Sequence, residues 1–337
     1  LDVALQTALV TEPGWISGDH HVHSYCEDGG QSPEAVVRAA AAQGLDYVVV
    51  TDEPESLLAA RLQRYNRPGR FLALPGQECT NPDVHCNSLN TYVKIPCPAY
   101  GESPETYSTP REWLENVAAQ SRTHPAALML NHPSHLPAAA RSQPYFRAWA
   151  HADANPGIGL VENCDFDSWF ARLNAGRRLT ALWTTDGHDM AWIPAGTRRS
   201  YVYVGEREWD EADIIGALRA GRVFNTRHPG ALLYLLVDGK MPGDEVPAQG
   251  RPTRVRLHCR ATRPLRALEL IVNGAEYKRW PGHGALEWEM EQDLALPAGW
   301  VLARAYVDEE PLPKDGHSRE PMTASGCVAF TNPVYLI

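Results

Sequence analysis

A chain of 337 residues in which hydrophobic types make up 44% is long enough to bury a full-sized core and a second, smaller one, so it reads as an ordinary globular protein. Its formal net charge of -10 argues against nucleic acid as a partner, because binding a phosphate polyanion leaves a basic footprint; a small-molecule substrate, anionic ones included, stays open. No stretch approaches the roughly 18 apolar residues of a membrane helix and no signal-peptide pattern precedes the first unit, so no membrane partner is expected, while compartment and oligomeric state stay open.

The first apolar entry leads into WISGDHHVHS (15–24), with three histidines in four positions. His21 and His23 stand two apart, so an extended chain presents both on one face and turns His20 and Val22 to the other. SPEAVVRAAAAQG (32–44) predicts a helix, with Ser32 as cap, Pro33 in the first turn and Gly44 as terminator. DYVVVTD (46–52) is a buried-strand run that ends at Asp52 and Glu53. RFLALPGQE (70–78) ends at Glu78, with His85 just beyond. PCPAYGESPETYSTP (96–110) is a proline-rich loop expected to shape the substrate as a lid. A predicted helix over 109–121 follows, and then AALMLNHP (126–133), a strand ending at His132. IGLVENCD (158–165) carries Glu162 at its end, to which no spacing argument assigns a role. Beyond a helix over 167–176, LTALWTTDGHD (179–189) ends in Asp186 and His188, again two apart, and the strand SYVYVG (200–205) and a helix over 210–221 complete the series.

Strands alternating with helices predict β/α units around a parallel sheet. Nearly every strand run ends in a metal-competent or acid/base side chain, and in such folds the C-terminal strand ends converge. Mixed imidazole and carboxylate ligands suit zinc, manganese or iron better than calcium or magnesium. Seven cysteines without a CxxC pair read as mostly free buried thiols, and Cys79 and Cys86, each directly following a better ligand, are expected on the opposite strand face.

After about residue 225 the texture changes to strands, with Asn273-Gly274 a strong hairpin signal and Asp238-Gly239 a second. The expected division is therefore an α/β unit over 1–224 and a small antiparallel β-sandwich over 225–337. Trp280, Trp288 and Trp300 are expected to pack that unit rather than bind carbohydrate.

GDHHVHS, TDE, GQE followed by HCN, NHP and TDGHD, in this order, resemble the motif series of the PHP (polymerase and histidinol phosphatase) metallohydrolase superfamily, and within it the branch typified by the CehA/McbA carbaryl hydrolases. The resemblance spans residues 14 to 205 and implies a distorted (β/α)7 barrel with two or three divalent metals at the C-terminal strand ends. Carried over, His21, His23, Glu78 and Asp186 hold one metal, and Glu78 bridges to a second held by His85 and His132. A third position draws on His188, on Glu53 where the family has a histidine, and on Asp28 or Glu27 in the loop after the paired histidines; Asp28 is the better match. Those two departures make the third site carboxylate-rich, expected to bind a harder ion or to bind more weakly.

Two such metals share a water, lower its pKa and present a bridging hydroxide to phosphorus or a carbonyl, which removes the need for a protein nucleophile. In keeping with this, the chain has no GxSxG elbow. Asp52, Glu53 and His188 are the catalytic candidates, and Asp19 is a candidate to orient a ligand histidine. His135, Arg198 and Arg199 are candidates to contact an anionic group. Phosphoesters lead as substrates, carbamates, carboxylic esters or amides come second, and a non-catalytic metal-containing binding module is the third reading.

Overall fold

A computed structural model describes residues 9–52, 56–81, 84–95, 110–121, 126–133, 148–227, 230–247, 252–308 and 326–337. Its first half runs β1 (Trp15–Val22), α1 (Pro33–Ala42), β2 (Tyr47–Val50), α2 (Ser56–Gln63), β3 (Leu72–Asn81), β4 (Val84–Leu89), α3 (Pro110–Ser121), β5 (Ala127–Leu130), α4 (Ala148–Asp153), β6 (Ile158–Glu162), α5 (Phe166–Asn174) and β7 (Thr180–Leu182). It continues with β8 (Arg198–Tyr203), α6 (Glu211–Ala220), β9 (Val223–Arg227), β10 (Ala231–Val237), β11 (Glu245–Val246), β12 (Thr253–Ala261), β13 (Leu265–Val272), β14 (Ala275–Pro281), β15 (Glu287–Leu294), β16 (Gly299–Val307), β17 (Cys327–Thr331) and β18 (Val334–Leu336).

The fold is mixed α/β, and its sheet is not purely parallel as the sequence pattern predicted. Strands β1, β2 and β3 pair in parallel, as do β5, β6 and β7, but β4 lies antiparallel between β3 and β5. The reason is chain length: only two residues separate Asn81 from Val84, far short of the dozen or so that a parallel crossover needs. On the other side β8 runs antiparallel to β1 and β9 antiparallel to β8.

Local chemistry explains the helices. Ser32 caps α1 by accepting from Ala35 N at 3.2 Å, Asp165 caps α5 in the same way, and α6 opens on a reciprocal capping box between Asp210 and Asp213. Gly221 ends α6 at φ 74°, a left-handed conformation that costs glycine little. At Gly18 the requirement is space, since a Cβ there would sit 2.2 Å from the Tyr47 ring.

The outer edge of β7 is closed by side chains. Asn225, on β9, accepts from Trp183 N at 2.9 Å and donates to Ala181 O at 2.9 Å. Asn332 accepts from Ala181 N at 2.8 Å and donates to the same carbonyl at 2.9 Å. Both amides are fully buried and stand in for a neighbouring strand.

Strand β9 also pairs with β17, so the large sheet runs on into the C-terminal segment through β17, β16, β18 and β11, with β13 and β14 branching from β16. Position 224, where two units were expected to meet, lies within β9. A separate sheet, β10-β12-β15, shares an apolar cluster with β13 and β16 that includes Leu233, Leu257, Leu268, Leu270 and Val301. Asn273 and Gly274, both at positive φ (51° and 88°), form the turn between β13 and β14. Trp280 and Trp288 pack against each other with centroids 5.8 Å apart, and buried Trp300 sits on Phe170 of α5. The six described cysteines are free, and Cys79 and Cys86 lie opposite each other in register inside the apolar core.

Removing Asn225 takes the acceptor from Trp183 N and removing Asn332 takes it from Ala181 N, while Ala181 O keeps one donor in either case. Asn225→Ala and Asn332→Ala are each expected to lower the unfolding free energy by about 2–4 kcal/mol in urea titrations. A loss below about 0.5 kcal/mol, the size of an ordinary surface change, would show that these amides do not close the sheet.

Candidate metal centre

At the ends of β1, β3 and β7 four donor atoms face one another. His21 Nε2 lies 3.0 Å from His23 Nε2, 3.4 Å from Glu78 Oε2 and 3.2 Å from Asp186 Oδ1. His23 Nε2 lies 3.3 Å from Glu78 Oε2 and 3.5 Å from Asp186 Oδ1. A tetrahedral ion with ligands at about 2.0–2.1 Å has ligand–ligand edges of about 3.3–3.4 Å, so these five separations fit a metal ion without rearrangement. His20 turns away: its Nε2 meets Tyr47 Oη at 2.6 Å on the opposite face of β1.

Glu78 points its two oxygens in different directions. While Oε2 joins the first set, Oε1 lies 3.3 Å from His85 Nδ1 and 3.8 Å from His132 Nε2, and also accepts from Asn131 Nδ2 at 2.7 Å. His132 Nε2 is 3.8 Å from the second oxygen of Asp186. Two donor sets thus share two carboxylates. His132 and Asp186 are held at positive φ (25° and 52°), as is Asn163 (44°); side chains in that region are uncommon and cluster where function requires them.

A third cluster lies beyond His23. His188 Nε2 is 3.3 Å from Asp28 Oδ2, and the His188 ring stacks on His23 with centroids 4.2 Å apart. His23 Nδ1 faces Glu27 Oε2 at 3.3 Å, Asp28 Oδ1 at 3.4 Å and Asp52 Oδ1 at 3.9 Å. With its Nε2 in the first set, Nδ1 is the ring nitrogen on the side of these carboxylates, and it makes no hydrogen bond to any described residue. Asp52 is fully buried and spent on the loop, accepting from Ser24 N at 2.7 Å and from the Ser24 hydroxyl.

Three expectations change. Asp19 does not hold a ligand imidazole; it accepts from Gly196 N at 2.7 Å, from Thr185 N at 3.1 Å and from the Thr185 hydroxyl. The carboxylate that meets an imidazole is Glu162, its Oε1 lying 2.7 Å from His21 Nδ1. Its position after an apolar strand run was visible in the sequence, but the contact spans 141 residues and no local spacing encodes it. Arg199 is no anion contact: it is 2% exposed and donates to Gly196 O at 2.8 Å and Gln43 O at 2.9 Å, pinning the 186–196 loop to the end of α1. Arg198 lies beside it, partly buried. Glu53, His135 and the expected lid at 96–109 lie outside the described residues.

The electrostatics call for a cation. Burial works against charge on His21, yet Glu162, Asp186 and Glu78 outweigh it and push the imidazole pKa well above its usual value. Burial likewise opposes charge on Glu78, but the surrounding imidazoles hold its carboxyl well below the usual range. The same opposition, won by His21, His23 and His132, lowers the Asp186 carboxyl. Such a site attracts protons when empty of metal and releases them to a divalent ion.

Structural neighbours of the chain include PHP-like proteins. A two-domain protein from Bacteroides vulgatus containing a predicted PHP-like metal-dependent phosphoesterase is 13% identical, with 98% of this chain and 100% of that one covered, at a TM-score of 0.48. A lesion-specific endonuclease from Pyrococcus furiosus is 14% identical over 61% of this chain and 56% of its own, at a TM-score of 0.41. An amidohydrolase from Chromobacterium violaceum is 13% identical over 53% of this chain and 89% of its own, at a TM-score of 0.34. No family model and no curated protein matches the chain.

His21→Ala and Glu78→Ala are each expected to lower bound-metal stoichiometry by at least one ion per chain in elemental analysis, while His20→Leu leaves it unchanged. Equal loss in all three would refute the facing of the β1 side chains. A pH experiment isolates His20, whose pKa burial lowers from 6.5 to about 3. The ring is neutral in the folded state and takes a proton in the unfolded one, so its contribution is intact above pH 6.5 and lost as pH falls toward 3. The stability deficit of His20→Leu relative to wild type is therefore expected to shrink by about 2 kcal/mol between pH 7 and pH 5. A deficit constant across that range would mean the ring titrates normally in the fold.

Proposed function

We propose that this chain is a metal-dependent hydrolase of the PHP superfamily, its α/β unit a distorted (β/α)7 barrel and its C-terminal segment a small β-sandwich. The observation that carries the reading is the set of five separations of 3.0–3.5 Å among four buried or half-buried donors, two imidazoles and two carboxylates. His21, His23, Glu78 and Asp186 would hold one zinc, manganese or iron ion, and Glu78, His85 and His132 a second. Bound there, two divalent ions supply Lewis acidity and a nucleophile at neutral pH.

The chain's own groups do the rest. Glu78 and Asp186 fix the spacing of the two donor sets. Ser24, tied to Asp52, and Gly29 N, which donates to Ser24 O at 2.9 Å, shape the loop that carries Asp28 to the mouth. His188 donates from Nδ1 to Asp186 O at 3.0 Å, which leaves Nε2 facing Asp28 and the solvent. At 40% side-chain exposure it is the group placed to deliver a proton to a leaving group. Were a third ion bound, that same Nε2 would instead be a ligand, beside Asp28 and Glu53, and could not carry the proton.

Phosphoesters are the leading substrates, and carbamates, carboxylic esters or amides, as in the carbaryl-hydrolase branch, come second. The net charge of -10 disfavours nucleic acid. Zinc- or manganese-loaded protein is expected to turn over p-nitrophenyl phosphate or bis-p-nitrophenyl phosphate, to lose activity in chelator, and to leave an abasic-site DNA duplex intact. Turnover confined to 1-naphthyl methylcarbamate would move the reading to the second class. Fully metallated protein inert across the whole panel would overturn it in favour of a binding module.

A further inference from the structure

Behind the first donor set runs a chain of hydrogen bonds whose direction is fixed at every link. Asn163 Nδ2, which can only donate, reaches Thr184 Oγ1 at 2.9 Å. That leaves the Thr184 hydroxyl proton for Glu162 Oε2, a contact the structure shows. Glu162 Oε1 lies 2.7 Å from His21 Nδ1, so the His21 proton sits on Nδ1 and the lone pair on Nε2 faces His23, Glu78 and Asp186. Glu162, Thr184 and His21 are each 0% exposed. Among the described residues the ion pair of Glu162 is with His21 alone, and no arginine or lysine neutralises it. A buried carboxylate held this way needs a cation reached through the imidazole.

We propose that Glu162 is a positioning residue of the first metal site, setting the tautomer, orientation and basicity of His21, with Thr184 and Asn163 setting Glu162 in turn. The proposal rests on the metal-dependent reading above.

The test measures zinc affinity by competition with a chromophoric chelator on the full chain, for wild type, Glu162→Ala, Glu162→Gln and Thr184→Val. Glu162→Ala is expected to bind the first zinc 10- to 100-fold more weakly. Glu162→Gln keeps an acceptor but loses the charge, and is expected to restore part of that loss; Thr184→Val should weaken binding a few-fold. Long-range proton–nitrogen spectra of the zinc-loaded protein supply a readout that a purely structural role would not move. The Nδ1–H proton of His21 is expected far downfield in wild type and shifted upfield in Glu162→Gln. Should Glu162→Ala fail to fold, the Gln and Val variants carry the test. Wild-type affinity and an unmoved His21 proton in Glu162→Gln would overturn the proposal. Wild-type protein that takes up no zinc overturns both this and the functional reading, whereas zinc-bound wild type that hydrolyses nothing overturns the functional reading alone.

Discussion

The candidate centre depends on backbone hydrogen bonds that continue the sheet past the ends of its regular strands. Glu78 N donates to Thr51 O at 2.6 Å, Thr51 N to Val22 O at 2.9 Å, His23 N to Gly187 O at 2.9 Å and Asp186 N to His21 O at 2.9 Å. Each bond fixes the residue beside or bearing a donor side chain, so four segments far apart in sequence are held at one height. Side chains two apart on such a scaffold share a face without further instruction. His21 and His23 are therefore aimed by the backbone first and refined by their partners second, whereas Asp186, at φ 52°, is aimed by a left-handed backbone just past β7.

That aim brings together groups that would not otherwise tolerate one another. Glu78, Asp186 and Glu162 surround two buried imidazoles, with Asp186 the most exposed of them, and desolvation opposes the charges on His21, Glu78 and Asp186. Hydrogen bonds to neutral groups offset a little of this: Asn131 to Glu78, Thr184 to Glu162. The remainder is balanced by positive charge on the imidazoles, which a divalent ion would displace as it takes up their lone pairs. Asp19 shows how the fold handles a buried carboxylate outside that cluster. Its pKa rises to about 6 through burial, and donors from Thr185 and Gly196 absorb both oxygens.

Most of the centre was legible in the sequence because its geometry is local: a two-residue period at a strand end decides which face a side chain takes. The alternation that placed His21 and His23 together also sent His20 to Tyr47, and Cys79 and Cys86 into the core. What escaped was non-local. Strand β4 was missed because VHCNSL has neither a long apolar run nor clean alternation; its place between β3 and β5 comes from pairing, not propensity. Arg199 looked like a loop cation, and only the fold reveals that two carbonyls 3 and 156 residues away consume it. Asp19 was expected to orient a ligand histidine and Glu162 was given no role for the same reason: which of two buried strand carboxylates meets an imidazole is decided across the sheet.

The C-terminal segment takes on a structural meaning from the same contacts. Strand β7 is only three residues long, yet the chain that leaves it carries Asp186 and His188. A strand so short has little ladder of its own, with β6 on one edge and amide side chains on the other. One of those amides, Asn332, comes from the last residues of the chain, and its Nδ2 also reaches toward Val223 O at 3.3 Å, so β7 and β9 are gripped by one side chain. Trp300 reaches the same region from the other side, donating to Asn174 Oδ1 at 2.8 Å at the end of α5. The C-terminal strands therefore brace the wall from which Asp186 and His188 project.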